Sequence, residues 1–349
     1  MPFEKIYAQD LREACNALRP GLLNGKRVLI TGVTGLIGSF MADALAFLNL
    51  KGGAGIQIYA AGRSEARVLD RFGALCAQPW FHFVAYDACK PVKFDFQADV
   101  VIHAACSAHP LAYARDPVGT MQANLVGAMH LLEYLRGCDN ARMVFLSTGE
   151  VYGENPELLE GFRESDQGYI DPLNPRACYP ESKRAAETLC ASYAAQYGVD
   201  ALVARLCHVY GPNITEANSR ADAQFLRKVL AGEDIIMKST GSQVRSFCYV
   251  ADVVSALFVL IDRGKRGEAY NVANRYSVAS IRKYAETLAK IGGVQLKFDL
   301  PPEVERAGYS RVTRAVLNPA KLEELGWRAQ YDLNTGLEHT FRHCMGQDG

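Results

Sequence analysis

The chain has 349 residues, of which 49% are hydrophobic, and its 38 basic residues balance 38 acidic ones. This length supports one large α/β unit or two closely joined domains, and the zero net charge argues against a nucleic-acid surface or a polybasic membrane patch. Ten scattered cysteines without zinc-ligand spacing, together with the absence of a leader or a bilayer-length apolar run, predict a cytoplasmic protein without a metal.

Alternating strand and helix patterns predict a doubly wound parallel sheet of the Rossmann-like α/β class over residues 25–212. Residues 1–24 are predicted to form a helical extension, because Leu11, Cys15 and Leu18 would share one face. Helices are predicted over 36–48 and 120–135, and a longer one carries Tyr179. Apolar runs predict six strands, at 27–31, 56–60, 81–85, 99–103, 143–147 and 201–205.

Beyond Gly211-Pro212 the alternation loosens. The pattern there predicts a smaller C-terminal α/β substrate-binding lobe over 213–345, with segments near 240–275 returning to the dinucleotide-binding unit. Helices are expected near 221–231, 251–263, 277–290 and 319–325.

A glycine-rich turn follows the first predicted strand and opens the next helix. Gly32, Gly35 and Gly38 are spaced three apart, which permits a tight turn, a close approach of the backbone to a pyrophosphate, and packing of the helix on the strand. The helix N-terminus adds free N–H groups. The turn predicts a dinucleotide cradle, in which Thr34, Leu36 and Ile37 also contact the cofactor.

The residues after the second strand bear on the choice between NAD and NADP. An NAD site usually has an acid there for the ribose hydroxyls, but this chain reads Ala60-Ala-Gly-Arg-Ser64. Arg63 is therefore a candidate to face a 2′-phosphate or to stack on the adenine. Asp87, after the third strand, is predicted to accept a hydrogen bond from the adenine amine, with Ala88 beside it.

A tyrosine and a lysine stand four residues apart in the segment Tyr179-Pro-Glu-Ser-Lys183, so a helix would place them on one face. Pro180 fits only a first turn, which puts Tyr179 at the start of that helix. A free tyrosine has a pKa near 10, and the Lys183 ammonium and an oxidised nicotinamide are expected to lower it. Thr148, after the fifth strand, supplies a hydroxyl that bridges Tyr179 and a substrate oxygen. Together these residues predict an enzyme that oxidises a carbinol.

These residues resemble the extended short-chain dehydrogenase/reductases that modify nucleotide sugars. The resemblance covers about Lys26 to Trp327. Further matching segments are His103-Ala-Ala105, Asn124-Leu-Val-Gly127, Ser147-Thr-Gly-Glu-Val-Tyr-Gly153, Val209-Tyr-Gly-Pro212, Gly241-Ser-Gln-Val-Arg-Ser-Phe247 and Leu325-Gly-Trp327. The resemblance implies that Ala104, Ala105 and Asn124 lie at the cofactor.

Within that family the segments Pro175-Arg-Ala-Cys-Tyr179 and Gly241-Ser-Gln243 look most like UDP-glucuronate decarboxylases. This implies a tightly held, recycled NAD and a homodimer formed through the helix of Tyr179. It also implies a nucleotide-diphosphate sugar as substrate. The residues implied to bind it are Tyr113, Arg176, His208, Arg245 and either Arg311 or Arg314.

Glu150 indicates the subclass, because decarboxylases and 4,6-dehydratases of this family carry Glu two residues after the threonine, whereas simple 4-epimerases often lack it. Two positions depart from the decarboxylase pattern: Gly149 replaces a usual Ser, and His208 replaces a frequent Asn. A decarboxylase is the first interpretation, followed by a 4,6-dehydratase and a 4-epimerase. A non-catalytic dinucleotide-binding sensor is the alternative from another class.

Overall fold

Thirteen strands are present in a computed structural model, which describes residues 3–106, 108–155, 160–215, 218–300 and 313–347. In chain order they are β1 (Arg27–Thr31), β2 (Gln57–Gly62), β3 (Phe81–Ala85), β4 (Val100–His103), β5 (Arg142–Thr148), β6 (Asp200–Leu206), β7 (His208–Tyr210), β8 (Ile235–Met237), β9 (Val244–Tyr249), β10 (Ala269–Val272), β11 (Val278–Ser280), β12 (Leu296–Phe298) and β13 (Arg314–Ala315).

Seven of these strands form a parallel sheet in the order β10-β6-β5-β4-β1-β2-β3. The strands are short apolar runs, which is typical of parallel sheets covered on both faces. The register pairs Thr31 with both Ala61 and His103, and Thr148 with Leu206, so the carboxyl ends of neighbouring strands meet at one edge. The doubly wound α/β fold predicted from the sequence is confirmed.

Helices cover both faces of this sheet. One layer contains α2 and α9, and the opposite layer contains α6 and α7. The helices are α1 (Lys5–Cys15), α2 (Leu36–Gly52), α3 (Glu65–Phe72), α4 (Pro110–Arg115), α5 (Pro117–Met121), α6 (Gly127–Arg136), α7 (Cys178–Tyr197), α8 (Ala221–Leu230), α9 (Val250–Arg263), α10 (Ile281–Gly292), α11 (Ala320–Glu324) and α12 (Leu333–Cys344). Within the described ranges, no helix has the length and apolarity needed to span a bilayer.

The C-terminal third contributes to two different parts of the molecule. β10 pairs with β6 at the edge of the central sheet, and α9 packs against β5. In contrast, β9 pairs with β7, β11 and β13 in a separate four-stranded sheet. Of the segments near 240–275, α9 and β10 therefore belong to the central sheet and its helix layer, whereas β9 belongs to the four-stranded sheet.

Two predicted helices differ from those observed. The helix expected over 120–135 is divided into α5, a π-helical turn over Gln122–Val126, and α6. The helix expected near 277–290 starts later, at Ile281, because residues 278–280 pair with β9 and Ser280 caps the helix through its hydroxyl. Propensity alone does not locate such tertiary pairing.

The N-terminal helix α1 is fixed to the rest of the chain by a buried carboxylate. Asp10 is 1% exposed and accepts hydrogen bonds from the hydroxyls of Tyr249 (2.6 Å) and Tyr331 (2.8 Å), and it lies 2.8 Å from Nδ1 of His339. One turn earlier, the Tyr7 hydroxyl donates to Asp43 of α2 at 2.6 Å. Helix α1 thus connects α2 with β9 and α12.

The network around Asp10 should contribute less to the unfolding free energy as the pH rises. The hydrogen bond with Asp10 raises the pKa of His339 in the folded protein. The stabilisation by protonated His339 is therefore fully present below about pH 6.5 and is lost as the pH rises through the raised pKa. Burial raises the pKa of Asp252 to about 7, assisted by Asp10, so the folded state also loses stability as the pH rises towards about 7. We expect Asp10→Asn to reduce this pH dependence.

Denaturant unfolding of the wild type and of Asp10→Asn at about pH 5 and about pH 8 measures the difference. The loss of unfolding free energy between the two pH values should be larger in the wild type. An equal loss in both proteins contradicts the role assigned to Asp10.

Candidate active site

The end of β5 presents two hydroxyls with different surroundings. The Ser147 hydroxyl donates to the carboxylate of Glu187 on α7 and is held within the protein. The Thr148 hydroxyl accepts the backbone N–H of Glu150 at 3.2 Å and also interacts with the Tyr179 phenol. Of the Ser147-Thr148 pair, Thr148 is therefore the one directed towards the candidate proton acceptor.

Tyr179 and Lys183 lie in the first turns of α7, as their spacing predicts. A 3₁₀ turn over Pro175–Ala177 leads directly into this helix, and both side chains are buried. The Lys183 ammonium donates to the carbonyl of Leu146 at 2.8 Å and lies 4.6 Å from the centre of the Phe145 ring. Burial lowers its pKa.

The pKa of Tyr179 in the protein alone is set by its surroundings. Burial raises it well above its usual value, and Cys106 and Glu150 raise it further, while the interaction with Thr148 lowers it. The sequence-based expectation concerned the phenol beside both the Lys183 ammonium and an oxidised nicotinamide, so it stays a prediction for the cofactor-bound protein. In the protein alone Tyr179 is therefore a neutral phenol.

Glu150, Arg176 and Tyr113 form a layer over Tyr179. Glu150 accepts a hydrogen bond from the Arg176 guanidinium at 2.8 Å, and that guanidinium lies 4.4 Å from the centre of the Tyr113 ring. Tyr113 in turn stacks on Tyr179, with 5.3 Å between ring centres. Both partners of the ion pair are partly exposed, whereas Tyr113 is buried beneath them.

The turn between β1 and α2 fits a pyrophosphate. Gly32 has a φ of +68°, and a Cβ there would lie 2.7 Å from the Ala104 carbonyl; a Cβ on Gly38 would lie 2.5 Å from the Gly32 oxygen. No side chain caps the first N–H groups of α2, which leaves donors for an anion. Gly35, with Thr34, Leu36 and Ile37, completes this turn. The chain is therefore able to hold a dinucleotide by these backbone groups.

The other predicted cofactor residues lie along the same edge of the sheet. Ala104 and Ala105 donate their N–H groups to the backbone and hydroxyl oxygens of Thr31, which brings them against the cradle. Asn124 lies in the π-helical turn and donates to Ser182 at 2.9 Å, next to the first turn of α7.

At the adenosine end, Arg63 is exposed, and Asp87 accepts a hydrogen bond from the N–H of Cys89. Ala88 lies close to Gly127, where a Cβ would lie 2.9 Å from the alanine methyl. Arg63 follows β2 and Asp87 follows β3, so both lie at the edge of the sheet that carries the glycine turn.

Cationic side chains gather on the second sheet. Burial lowers the pKa of His208 to about 4, and Arg220 and Arg245 lower it as well. Arg245 is 7% exposed. Arg314 lies on the neighbouring strand β13, and its Nε is buried without a hydrogen-bond partner in the described chain. Arg311 lies outside the described residues.

Arg220 is a site residue that sequence reasoning missed. It donates to the Val209 carbonyl at 3.0 Å, lies 3.5 Å from Asp222, and has a buried Nε without a partner in the described ranges. No motif marks it; only its position before α8 brings it to His208. A neutral histidine among arginines suits a phosphate group.

Gly149 is explained by a neighbouring side chain. A Cβ at this position would lie 3.1 Å from both methyl groups of Leu317, which is 3% exposed. Leu317 therefore occupies the space into which a serine would project.

Among the described residues, no group of three or more histidine, cysteine, aspartate or glutamate side chains is arranged to hold a metal ion.

The contact between Gly149 and Leu317 predicts a coupled pair of substitutions. Gly149→Ala alone should lower the unfolding free energy by about 1 kcal/mol through overpacking, and Leu317→Val by about 1 kcal/mol through a small cavity. In the double variant the two losses should partly cancel. Denaturant unfolding measures all three, with Gly52→Ala, which meets no atom within 4 Å, as the control. Purely additive losses contradict the contact.

Comparisons with known proteins agree with this geometry. The family described as the NAD dependent epimerase/dehydratase family matches residues 28–273. UDP-glucuronic acid decarboxylase 5 of Arabidopsis thaliana is 31% identical over 326 residues, covering 92% of this chain and 90% of that protein. The UDP-glucose 4-epimerase of Thermus thermophilus, solved with NAD, has a TM-score of 0.75 at 26% identity and covers 92% of this chain and 99% of that one.

A protein named RMD from Pseudomonas aeruginosa, complexed with NADPH, has a TM-score of 0.71 at 25% identity, with coverage of 92% and 99%. The resemblance inferred from the motifs is confirmed by these matches. The fold, the cradle and the extent of the match lead to one assignment: the chain belongs to the NAD dependent epimerase/dehydratase family.

Proposed function

We propose that this protein is a nucleotide-sugar lyase that oxidises C4 of a UDP-hexuronate and releases its carboxyl group as CO₂, as a UDP-glucuronate decarboxylase does. The observation that carries the proposal is the placement of Glu150 and its partner Arg176 over the Tyr179 phenol. The similarity to UDP-glucuronic acid decarboxylases over nine-tenths of the chain supports it.

The bound dinucleotide supplies a hydride acceptor that later returns the hydride to the sugar. Thr148 and Tyr179 bind the C4 hydroxyl, and Tyr179 takes its proton. Lys183, held by the Leu146 carbonyl, places a positive charge near the forming ketone. Because burial raises the pKa of Tyr179 in the protein alone, its activation would depend on positive charge near the phenol, which an oxidised nicotinamide would supply.

The 4-ketone stands β to the C5 carboxylate, so the bond between C5 and the carboxyl carbon breaks and its electrons pass into the ketone as an enolate. The enolate takes a proton at C5, and Tyr179 would return its proton to the C4 oxygen when the C4 alcohol is restored. Arg176 is suited to hold the substrate carboxylate before this step, because a guanidinium binds carboxylates through two parallel hydrogen bonds. Glu150 then orients Arg176 or the water that supplies the C5 proton.

The diphosphate of the substrate is assigned to the cationic cluster of His208, Arg220, Arg245 and Arg314. The Nε atoms of Arg220 and Arg314 are buried and have no hydrogen-bond acceptor among the described residues. This supports the assignment, because buried guanidinium groups normally donate to an acceptor. On the same grounds we assign residues 213–345 mainly to substrate binding, apart from α9 and β10, which belong to the central sheet and its helix layer.

Two alternatives within the same chemistry follow from Glu150. A 4,6-dehydratase would use the carboxylate of Glu150 to move the C5 proton. A 4-epimerase would need only the oxidation at C4 and a rotation of the keto sugar before C4 is reduced again. The intact set of Thr148, Tyr179 and Lys183 counts against a non-catalytic sensor.

We also propose a tightly held, recycled dinucleotide, and a homodimer formed through α7. Exposed apolar side chains near that helix support the dimer: Val118 is 66% exposed and Leu173 is 90% exposed. The molar mass in solution tests it. The ten free thiols fit the predicted cytoplasmic location.

Incubation of the purified protein with UDP-glucuronate, UDP-glucose and dTDP-glucose, with products identified by mass, tests the reaction class. We expect loss of CO₂ from the uronate and a UDP-pentose as product. Tyr179→Phe should lower this turnover about 100-fold or more, while the cofactor stays bound. Tyr276→Phe, at a residue that is 78% exposed, is the matched control. Retained turnover by Tyr179→Phe overturns the assignment of the base.

Glu150→Gln separates the first oxidation from the later steps. We expect product formation to slow more than the initial appearance of reduced nicotinamide, because the neutral amide orients Arg176 and the proton-supplying water less well than the carboxylate does. Rapid-mixing absorbance and product mass measure the two rates. An equal loss of both rates assigns Glu150 to a structural role only.

A further inference from the structure

A serine of the C-terminal lobe, residues 213–345, reaches the short helix α4. Pro110, the first residue of α4, has no N–H, so Leu111 is the first residue of this helix with a backbone donor. That N–H donates to the hydroxyl oxygen of Ser219 at 3.1 Å, across 108 residues of chain. His109, which precedes α4, supplies no side-chain cap of its own. Ser219 therefore caps α4 from another part of the fold, as an N-terminal helical donor requires.

The same hydroxyl group also meets the residue before the helix. It lies 3.3 Å from Nδ1 of His109. Because the Ser219 oxygen accepts the Leu111 N–H, its hydroxyl proton is available to the ring nitrogen. Burial lowers the pKa of His109, and Arg220 lowers it further, which favours the neutral ring that accepts this proton. Ser219 thus holds both the first turn of α4 and the residue that leads into it.

Ser219 is itself fixed to the C-terminal lobe. Its carbonyl accepts a hydrogen bond from the side chain of Gln224 at 2.7 Å, and the carbonyl of the preceding residue accepts one from Arg227 at 2.8 Å. Both donors belong to α8. Arg220, the next residue along the chain, is part of the cationic cluster assigned to the diphosphate. The contact with α4 therefore joins that cluster to the part of the molecule that carries the proton acceptor.

On its other side, α4 packs against the first turn of α7. Tyr113 of α4 is 3% exposed and stacks on Tyr179, with the two ring planes 19° apart. The carbonyl of Tyr113 accepts a hydrogen bond from Sγ of Cys178 at 3.8 Å. A shift of α4 would therefore move the ring that covers the Tyr179 phenol. A displacement of about 1 Å at reacting groups is enough to lower a rate strongly.

We propose that Ser219 is a positioning residue, which holds α4 so that Tyr113 keeps the Tyr179 phenol in place while the C-terminal lobe binds the substrate. The inference rests on the proposed function for the role of Tyr179 as proton acceptor. The placement of α4 does not depend on that function, and Cys178 reports on it. This cysteine is 6% exposed and lies against the Tyr113 carbonyl, so loosening of α4 uncovers its thiol.

Alkylation of Cys178 by iodoacetamide at fixed pH, followed by peptide mass, tests the placement of α4 without any turnover. We expect Ser219→Ala to raise the alkylation rate about five-fold, because a hydrogen bond that holds α4 is lost, and Ser219→Thr, which keeps the hydroxyl, to restore the slow rate. Cys89, which is exposed, serves as the internal reference. Ser280→Ala removes the serine cap of a different helix, α10, and should leave the rate unchanged. An unchanged rate in Ser219→Ala overturns the proposal.

Turnover of UDP-glucuronate tests the effect on the reaction. Ser219→Ala should lower kcat about five-fold, while KM and the dissociation constant of UDP stay within about two-fold, because Arg220 and its neighbours still bind the diphosphate. Ser219→Thr should recover kcat. A change in KM alone assigns Ser219 to binding and overturns the positioning role. If the wild type turns over no nucleotide sugar, the proposed function fails, and Cys178 alkylation still decides whether Ser219 holds α4.

Discussion

The geometry of the candidate active site depends on a largely buried ion pair between Arg205 of β6 and Glu187 of α7. Glu187 accepts hydrogen bonds from Arg205 and from the Ser147 hydroxyl at the end of β5. Arg205 also donates to the hydroxyl of Tyr152, which belongs to the same turn as Glu150. A pair of this kind is strongly destabilising when one partner is lost, because the other charge stays buried. It ties two strands, one helix and one turn into a single arrangement.

That arrangement explains how the neighbouring groups are oriented. Lys183 precedes Glu187 by one helical turn, so the pair that fixes α7 also fixes the ammonium at the Leu146 carbonyl. With Ser147 committed to Glu187, Thr148 on the opposite side of the strand is left to meet Tyr179. Burial keeps Tyr179 neutral and makes a buried Lys183 ammonium less favourable. Both shifts show that burial disfavours a charged side chain at these two positions.

Local patterns in the sequence were sufficient for six of the seven strands of the central sheet, the glycine turn and the start of α7, because each depends on a short run: apolar periodicity, glycines three apart, or Pro180 after Tyr179. They were insufficient where distant segments meet. Arg220 reaches His208 from before α8, and Leu317 reaches Gly149 across more than 160 residues. The burial that raises the pKa of Tyr179 in the protein alone is likewise invisible in the Tyr-x-x-x-Lys spacing, because it comes from the packing of distant segments.

Two glycines at strand ends illustrate how one scaffold changes its ligands. Gly62 and Gly149 each stand where a polar side chain would face cofactor or sugar, yet their surroundings are opposite. The space beside Gly62 is open, with the nearest atom at 3.9 Å, whereas two methyl groups of Leu317 fill the space beside Gly149. Loss of a side chain leaves room for a ligand group at the first position. At the second it replaces a polar wall with an apolar one, which no ligand can enter without displacing Leu317. The space beside the end of β2 is thus open, whereas the space beside the turn after β5 is filled by an apolar side chain.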